Sequence, residues 1–223
     1  MPHHHRSRGF TLIEVAFVVA ILAALGALAY ASVGRLRPRA QLASSAEELQ
    51  SLLHGARQQA LASGHPVAVL FFPDFANGDG QGRVIVYEDG QFDFFSTGAV
   101  NFDAYNPGSP ASAALSQVVA TFDLPRGILL GPVDGMGASA ALAAPWDGID
   151  VTRACSFCTT SGARRGAIVF DPRGRASFYS QNGPRMDVQK GGSLTIHAPE
   201  LGSASRTLVI TSSAGAVRAY ING

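Results

Sequence analysis

The chain opens with a long apolar segment. Residues 10–33 contain one charged side chain, Glu14, among apolar and small residues. A helix over these 24 residues would be about 36 Å long at the usual rise per residue, which is enough to cross the hydrocarbon core of a bilayer. The pattern therefore predicts a membrane-spanning helix. A carboxylate inside such a segment is a candidate functional site, because burying it in lipid is costly.

A second helical pattern covers residues 34–64. Apolar residues recur there every three or four positions, which is the period of one helix face. They are Leu42, Ala46, Leu49, Leu53, Ala56 and Ala60. The helix is expected to bend or loosen around Gly34 and Pro38, and Gly64 followed by Pro66 predicts its end at Ser63. We expect this amphipathic helix to pack under a globular head.

The head, residues 65–223, changes to a period of two, which is typical of strands. The predicted strands fall in two groups. The first is Val67–Phe72, Arg83–Glu88, Gln91–Ser96, Val118–Asp123 and Gly127–Leu130, and the second is Gly166–Asp171, Arg175–Ser180, Ser193–Ala198, Arg206–Ser212 and Ala216–Ile221. Residues 88–91 and 171–174 are predicted hairpin turns, and residues 101–114 and 134–145 are predicted exposed loops. The whole pattern predicts an α+β fold, with the long N-terminal helix packed on two antiparallel β-sheets.

The charge, the length and the motif content of the chain exclude several classes of function. The net charge is +1 and the charged fraction 15%, so no global basic field argues for nucleic acid. About 190 residues lie outside the first 33, enough for one domain with its own core. The sequence contains no nucleophile elbow, no zinc-protease spacing and no phosphate-binding loop. The head histidines His54, His65 and His197 belong to no such motif, so we expect neither an enzyme nor a cofactor.

The start of the apolar segment carries a specific motif. Arg6 and Arg8 precede Gly9-Phe10-Thr11-Leu12-Ile13-Glu14. This run resembles the class III signal of type IV pilins and type II secretion pseudopilins. The resemblance implies that residues 1–9 are a leader, that a prepilin peptidase cleaves between Gly9 and Phe10, and that Phe10 is then N-methylated. It also implies that Glu14 offsets the positive amine of a neighbouring subunit.

An ordinary secretory signal peptide is the alternative. The segments 27–29 and 29–31 offer small residues at the spacing of a cleavage site, and cleavage there would remove the apolar helix. Glu14 is unusual in the core of such a peptide, which favours the pilin interpretation. Arginines flank both ends of the segment, so the positive-inside rule does not set the orientation. The resemblance implies a cytoplasmic N-terminus, a single pass through the bacterial inner membrane and a periplasmic head. Residues 3–5, three histidines, would be lost with the leader.

The rest of the chain resembles the pseudopilin-H and FimT-like branch of that superfamily. The similar stretches are residues 46–62, 65–67, 167–175, 191–196 and 208–218. The resemblance implies a minor structural subunit of a type II secretion pseudopilus or type IV pilus. Its partners would be the prepilin peptidase, other major and minor pilins or pseudopilins, an inner-membrane assembly platform, and lipid before assembly. Residues 100–160 match no part of the branch, and we expect this insertion to project outward.

One loop has the spacing of a calcium site. Asn77, Asp79, Gln81 and, in twelfth place, Glu88 supply oxygens in the order of a helix–loop–helix calcium loop. A plain hairpin turn is the alternative. It is favoured because the first position is Asn and because residues 83–87 have a strand pattern.

Cys155 and Cys158 form a CxxC pair. In an oxidising compartment such a pair is expected to form a disulfide. A redox-active site is the alternative, but the strand-then-helix context of thioredoxin-like motifs is missing.

DNA binding for DNA uptake is the alternative function. FimT-like members bind DNA phosphates with a C-terminal Gly-Arg-x-Arg element. The matching stretch here is residues 215–218, where only Arg218 is present. Arg218 and Arg206 are the candidate DNA contacts, since phosphate binding requires clustered cations. Further arginines that could join the patch are Arg164, Arg165, Arg173, Arg175 and Arg185.

Overall fold

The computed structural model describes residues 11–77, 80–89, 102, 107–108, 117–131, 142, 144, 146, 148–151, 153–159, 162–180, 183–184, 190–202 and 204–222. Of these, the side chains of residues 29–36, 77, 80, 184 and 222 are not described. The chain divides into two compact units, Met1–Arg37 and Pro38–Gly223.

One helix, α1, covers Leu12–Ser63. It continues through Pro38, although a proline lacks the N–H that would bond the preceding turn. Its end is the predicted one. Gly64 has φ +73° and its N–H donates to the carbonyl of Ala60 at 3.2 Å, which is a left-handed helix cap. The stripe predicted for the second unit is confirmed, since all six of its apolar residues are buried.

Among residues 12–28 of the first unit, large apolar side chains of α1 are exposed. Leu12 is 88% exposed and Phe17 68%. In the part of the chain that the structure describes, no helix is long and apolar enough to cross a membrane. Residue 10 and the side chains of residues 29–33, which belong to the predicted span, lie outside the described residues.

The second unit contains ten described strands. They are β1 (Val67–Asn77), β2 (Gly80–Glu88), β3 (Val118–Asp123), β4 (Leu129–Leu130), β5 (Gly166–Phe170), β6 (Ala176–Ser180), β7 (Gly183–Pro184), β8 (Gly191–His197), β9 (Ser205–Thr211) and β10 (Val217–Asn222). A short 3-10 helix, Pro199–Leu201, lies between β8 and β9. The predicted strand 91–96 lies outside the described residues. Strand β7 was missed because a Gly-Pro pair carries no strand pattern.

The strands form one sheet. Their order is β10-β9-β8-β4-β2-β1-β5-β6-β7, and β3 also pairs with β2. The two predicted groups are not kept apart: β5 and β6 of the second group continue the sheet beyond β1 of the first group, and β4 joins β2 to β8. Leu129 pairs with Gln81 of β2 in parallel and with His197 of β8 in antiparallel orientation. The α+β class with a packed N-terminal helix is therefore confirmed, with a single mixed sheet in place of two.

Both faces of the central strands are buried. Val69 and Phe71 of β1 belong to the cluster that contains the helix residues Leu49 and Leu53. Leu70, on the opposite face of β1, belongs to a second cluster. A strand buried on both faces is expected to be apolar throughout rather than alternating, as residues 67–72 are.

The expectation that the insertion 100–160 projects outward is wrong for its described residues. Phe102 is 1% exposed and packs edge-on against Phe72, with ring centroids 6.4 Å apart. Ile149 and Val151 form a third cluster with Val209 of β9. Leu142, inside a predicted exposed loop, is 6% exposed. These residues cover the face of the sheet that α1 does not cover.

Candidate assembly and processing site

The start of α1 is organised by Thr11 and Glu14. The backbone N–H and the hydroxyl of Thr11 both donate to Oε2 of Glu14, at 2.9 and 3.0 Å. In return, the backbone N–H of Glu14 donates to Oγ1 of Thr11 at 3.3 Å. This reciprocal arrangement is a capping box, which satisfies N–H groups that have no partner within the helix.

The capping box decides where the carboxylate of Glu14 points. Side chains of a helix lean towards its N-terminus, and here the hydrogen bonds hold the carboxylate beside the backbone nitrogen of Thr11. A negative charge in the first turn is also favoured by the helix dipole. The result is an oriented anion at the N-terminal end of the apolar half of α1.

The two processing residues, Gly9 and Phe10, lie outside the described residues. Thr11 was not singled out as a functional residue from the sequence. The signal was available, because Thr11-Leu12-Ile13-Glu14 has the S/T-x-x-E spacing of a capping box.

The calcium candidates are not brought together. Gln81 lies near the start of β2 and Glu88 is its last residue, so about 23 Å of extended strand separates them. Asp79 and the side chain of Asn77 lie outside the described residues. Among the residues that are described, no group of three or more His, Cys, Asp or Glu side chains could hold a metal ion. The strand pattern at residues 83–87 therefore described this region better than the loop spacing did.

Glu88 instead connects the helix end to the sheet. Its Oε2 accepts a hydrogen bond from Nε2 of Gln59 at 2.8 Å, and its Oε1 lies 3.4 Å from Nδ1 of His65. The bond from Gln59 is the main cause that lowers the pKa of Glu88; burial opposes it, and Ser63 and His65 add to the lowering. The carboxylate that the calcium spacing selected thus has a structural role.

Cys155 and Cys158 are joined in a disulfide. Both residues are buried, and Cys155 forms an isolated β-bridge with Leu194 of β8. Phe157, between them, is fully buried in the main core. This position suits a structural disulfide rather than a redox-active pair, which needs an accessible sulfur.

The two candidate DNA contacts lie on opposite faces of one hairpin. Arg206 of β9 pairs with Ile221 of β10, whereas Arg218 of β10 pairs with Val209 of β9. Paired residues share a face and successive residues alternate, so Arg206 and Arg218 point to different sides. Arg218 is exposed and Arg206 is half-buried. The hairpin therefore does not gather these two side chains into one patch.

The other arginines named for that patch are largely engaged or undescribed. Arg164 pairs with Asp74 at 2.6 Å, and Arg175 pairs with Asp171 at 2.8 Å. Arg165 is half-buried, Arg173 is exposed in the turn after β5, and Arg185 lies outside the described residues.

The stretch 215–218 begins at a packing contact. Gly215 has φ +56°, and a Cβ placed there would lie 2.4 Å from the carbonyl oxygen of Gly174. That oxygen also accepts a hydrogen bond from Nε of Arg57 on α1, at 3.1 Å. The predicted turn 171–174 is confirmed by the bond from the N–H of Gly174 to the carbonyl of Asp171, at 2.8 Å. Gly215 thus packs closely against Gly174 and the side chain of Arg57, and this packing explains the glycine.

The histidines do not form a reactive group. His197 is buried, with Nδ1 2.7 Å from the carbonyl oxygen of Gly131. His54 is half-buried on α1, and His65 belongs to the helix-end contact already described. Among the described residues, these three histidines therefore lie in different parts of the chain: His54 on α1, His65 after its end and His197 on β8.

Comparisons with known proteins return two family models. The prokaryotic N-terminal methylation motif matches residues 4–30, a range that contains Gly9, Phe10 and the capping box. The type II transport protein GspH model matches residues 45–215, which is well over half of the chain. The comparisons with curated proteins and with solved structures gave no match.

Proposed function

The chain belongs to the type II transport protein GspH family, and we propose that it is a minor subunit of a type II secretion pseudopilus or a type IV pilus. It is a pseudopilin-like structural subunit with a prepilin-type N-terminus and is not an enzyme. The GspH match favours the secretion pseudopilus. The observation that carries the proposal is the capping box at the start of α1, because it presents Glu14 at the end of the helix where a subunit amine would be received.

The proposed sequence of events begins in the inner membrane. Residues 10–33 insert with the N-terminus in the cytoplasm, and a prepilin peptidase removes residues 1–9 and methylates Phe10. The capping box uses only groups of Thr11 and Glu14. It therefore survives the cleavage and keeps the carboxylate oriented in the mature chain.

Assembly would then bury the exposed apolar side chains of the first unit against the helices of other pilins or pseudopilins, on an inner-membrane platform. In such apolar surroundings an unpaired carboxylate is costly, and a neighbouring subunit's positive amine offsets that cost. Glu14 would thus select the register at which the chain joins the fibre.

Processing provides the test. Gly9→Ala in the full chain, co-expressed with a prepilin peptidase, should prevent cleavage because a Cβ crowds the scissile bond. Gly26→Ala is the matched control, since a Cβ at Gly26 meets nothing within 4 Å. Mass spectrometry of the membrane-extracted chain reads the N-terminus. A Gly9→Ala chain that starts at Phe10 as often as the control would overturn the proposal.

DNA binding for DNA uptake is a second candidate, and one observation favours it: Arg218 is exposed on β10, the strand at one end of the sheet order. If it contacts phosphate, Arg218→Ala should weaken the salt-dependent retardation of DNA by the full chain and reduce the salt slope by about one. Arg206→Ala, on the opposite face, is the control. Equal retardation by wild type and both variants would reject this candidate.

A further inference from the structure

The disulfide loop occupies the centre of the main core. Phe157 lies between Phe71 and Phe178, with ring centroids 5.6 and 5.3 Å away. The flanking Cys155 and Cys158 are 0% and 2% exposed. An oxidant or a reductant cannot reach the sulfurs of either cysteine while the loop is packed in this way.

Hydrogen bonds attach the same loop to β8. The N–H of Ser156 donates to the carbonyl of Ser193 at 3.0 Å, and the N–H of Ser193 donates to Oγ of Ser156 at 2.9 Å. The N–H of Thr195 donates to the carbonyl of Ala154 at 2.9 Å. The loop therefore lies along β8 like a short strand, next to the residues of β8 that pair with β4.

Glycines of two strands make the room for the loop. A Cβ at Gly166 of β5 would lie 2.8 Å from Sγ of Cys158, and a Cβ at Gly192 of β8 would lie 3.0 Å from the ring of Phe157. Bonded sulfurs are about 2.05 Å apart, whereas non-bonded heavy atoms need about 3.5–4 Å. In the reduced chain the two sulfur atoms would have to move apart, and the surrounding core is too closely packed to allow this. The packed loop therefore fits the oxidised pair and not the reduced pair.

We infer that oxidation of Cys155 and Cys158 precedes the closure of the head core and is required for it. The co-reactant is a protein disulfide of the dithiol-oxidase class, which acts on the open chain before Phe157 docks. The cytosol keeps thiols reduced, so a chain destined for the periplasm reaches its final packing only after the head has crossed the membrane. That last step rests on the proposed function, whereas the order of oxidation and packing does not.

The thiol–disulfide exchange between the chain and the oxidase conserves atoms and electrons. One cysteine thiolate attacks the disulfide of the oxidase, forming a mixed disulfide and releasing one oxidase thiol. The second cysteine thiolate then attacks the chain's own sulfur in the mixed disulfide, closing the Cys155–Cys158 bond and releasing the second oxidase thiol. Two electrons and two protons pass to the oxidase.

The test uses the full chain in detergent micelles. A phosphine reductant is added in native buffer or in urea, and free thiols are counted by maleimide labelling. Reduction should be slower in native buffer by roughly a hundredfold or more, because it requires the core to open first. Equal rates in the two conditions would overturn the inference.

The second arm starts from chain reduced in urea. After return to native buffer without oxidant, the head should stay sensitive to limited proteolysis, and oxidised glutathione should restore resistance. The Cys155→Ala/Cys158→Ala double variant is the control, and glutathione should not change its sensitivity. Resistance of the reduced wild type equal to that of the oxidised wild type would overturn the inference. Neither arm involves a fibre, so their failure leaves the proposed function untouched.

Discussion

The two halves of α1 have the same secondary structure and opposite surroundings. In the first unit Leu22 and Leu25 are 62% and 57% exposed, whereas in the second unit Leu49 and Leu53 are fully buried. A leucine buried in a core stabilises the fold by about 1.5–3 kcal/mol, so the second half stabilises the head. The first half has no such burial within its own unit, and contiguous exposed apolar surface marks an interaction site. One helix thus combines a folding element with an exposed apolar half, to which the proposed function assigns assembly.

The largest effect on incorporation into fibres is expected from removing the charge of Glu14, in the exposed apolar half of α1. Glu14→Leu should leave processing unchanged but remove the charge that offsets a neighbour's amine. Removing one partner of a buried pair costs about 3–5 kcal/mol, so incorporation into fibres should fall by roughly a hundredfold or more. Incorporation is measured by quantifying the chain in sheared, purified fibres.

The matched control is Glu48→Leu, since Glu48 is exposed on the second half of the same helix. It should change incorporation little. If both variants reduce incorporation equally, the distinction between the two halves is lost.

The stability of the head should depend on the second, buried half of α1. Leu53→Ala is expected to lower the free energy of unfolding by about 2–5 kcal/mol, because Leu53 is fully buried in the main core. Leu25→Ala should leave it within about 0.5 kcal/mol. Urea unfolding of the full chain in detergent measures both, and the fluorescence of Trp146, which packs on the third cluster, reports on the head. If Leu25→Ala lost more unfolding free energy than Leu53→Ala, the first half of α1 and not the second would stabilise the head.

A smaller effect should follow from loosening the capping box. Thr11→Ala removes both side-chain hydrogen bonds with Glu14 and should cost about 1 kcal/mol. Incorporation into fibres should fall by severalfold, with the unfolding of the head unchanged. Thr11→Ser keeps the hydroxyl and should restore incorporation. A Thr11→Ala chain that assembles like the wild type would show that Glu14 acts without its orientation being fixed.

The smallest expected effect is a pH dependence at the other end of α1. The pKa of Glu88 is lowered in the folded chain, chiefly by the hydrogen bond from Gln59. A lowered pKa adds stability that is fully present above the ordinary glutamate value and is lost as the pH falls through the folded value. In Glu88→Gln, the unfolding midpoint should therefore fall less steeply as the pH is lowered into the acid range, the acid limb of the curve. Glu48→Gln, at an exposed site, should leave that limb unchanged, and an equal response of both variants would exclude the Glu88 contact as the cause.

Short-range signals were interpreted correctly where one element determined the outcome. The end of α1 at Ser63 followed from Gly64 and Pro66, and the six-residue stripe followed from helical periodicity. Among the candidate sites, the Gly-Phe motif and Glu14 also come from residues close together in sequence, and the methylation-motif model covers them; the roles of these residues stay predictions. The calcium spacing was rightly given less weight than the strand pattern, because an oxygen pattern is independent of backbone conformation and the chain at Glu88 is extended.

The sequence by itself determined the α+β class, the division of α1 into an exposed apolar half and an amphipathic half, and the processing motif, because each depends on residues close together along the chain. Only the tertiary structure decided the rest. The pairing of β5 with β1 and of the two-residue strand β4 with β8 merges the strand groups into one sheet, and strand register places Arg206 and Arg218 on opposite faces. The insertion packs on the sheet, and Phe157 with its disulfide fills the core. These features depend on pairing and packing between residues far apart in the chain, which local periodicity does not encode.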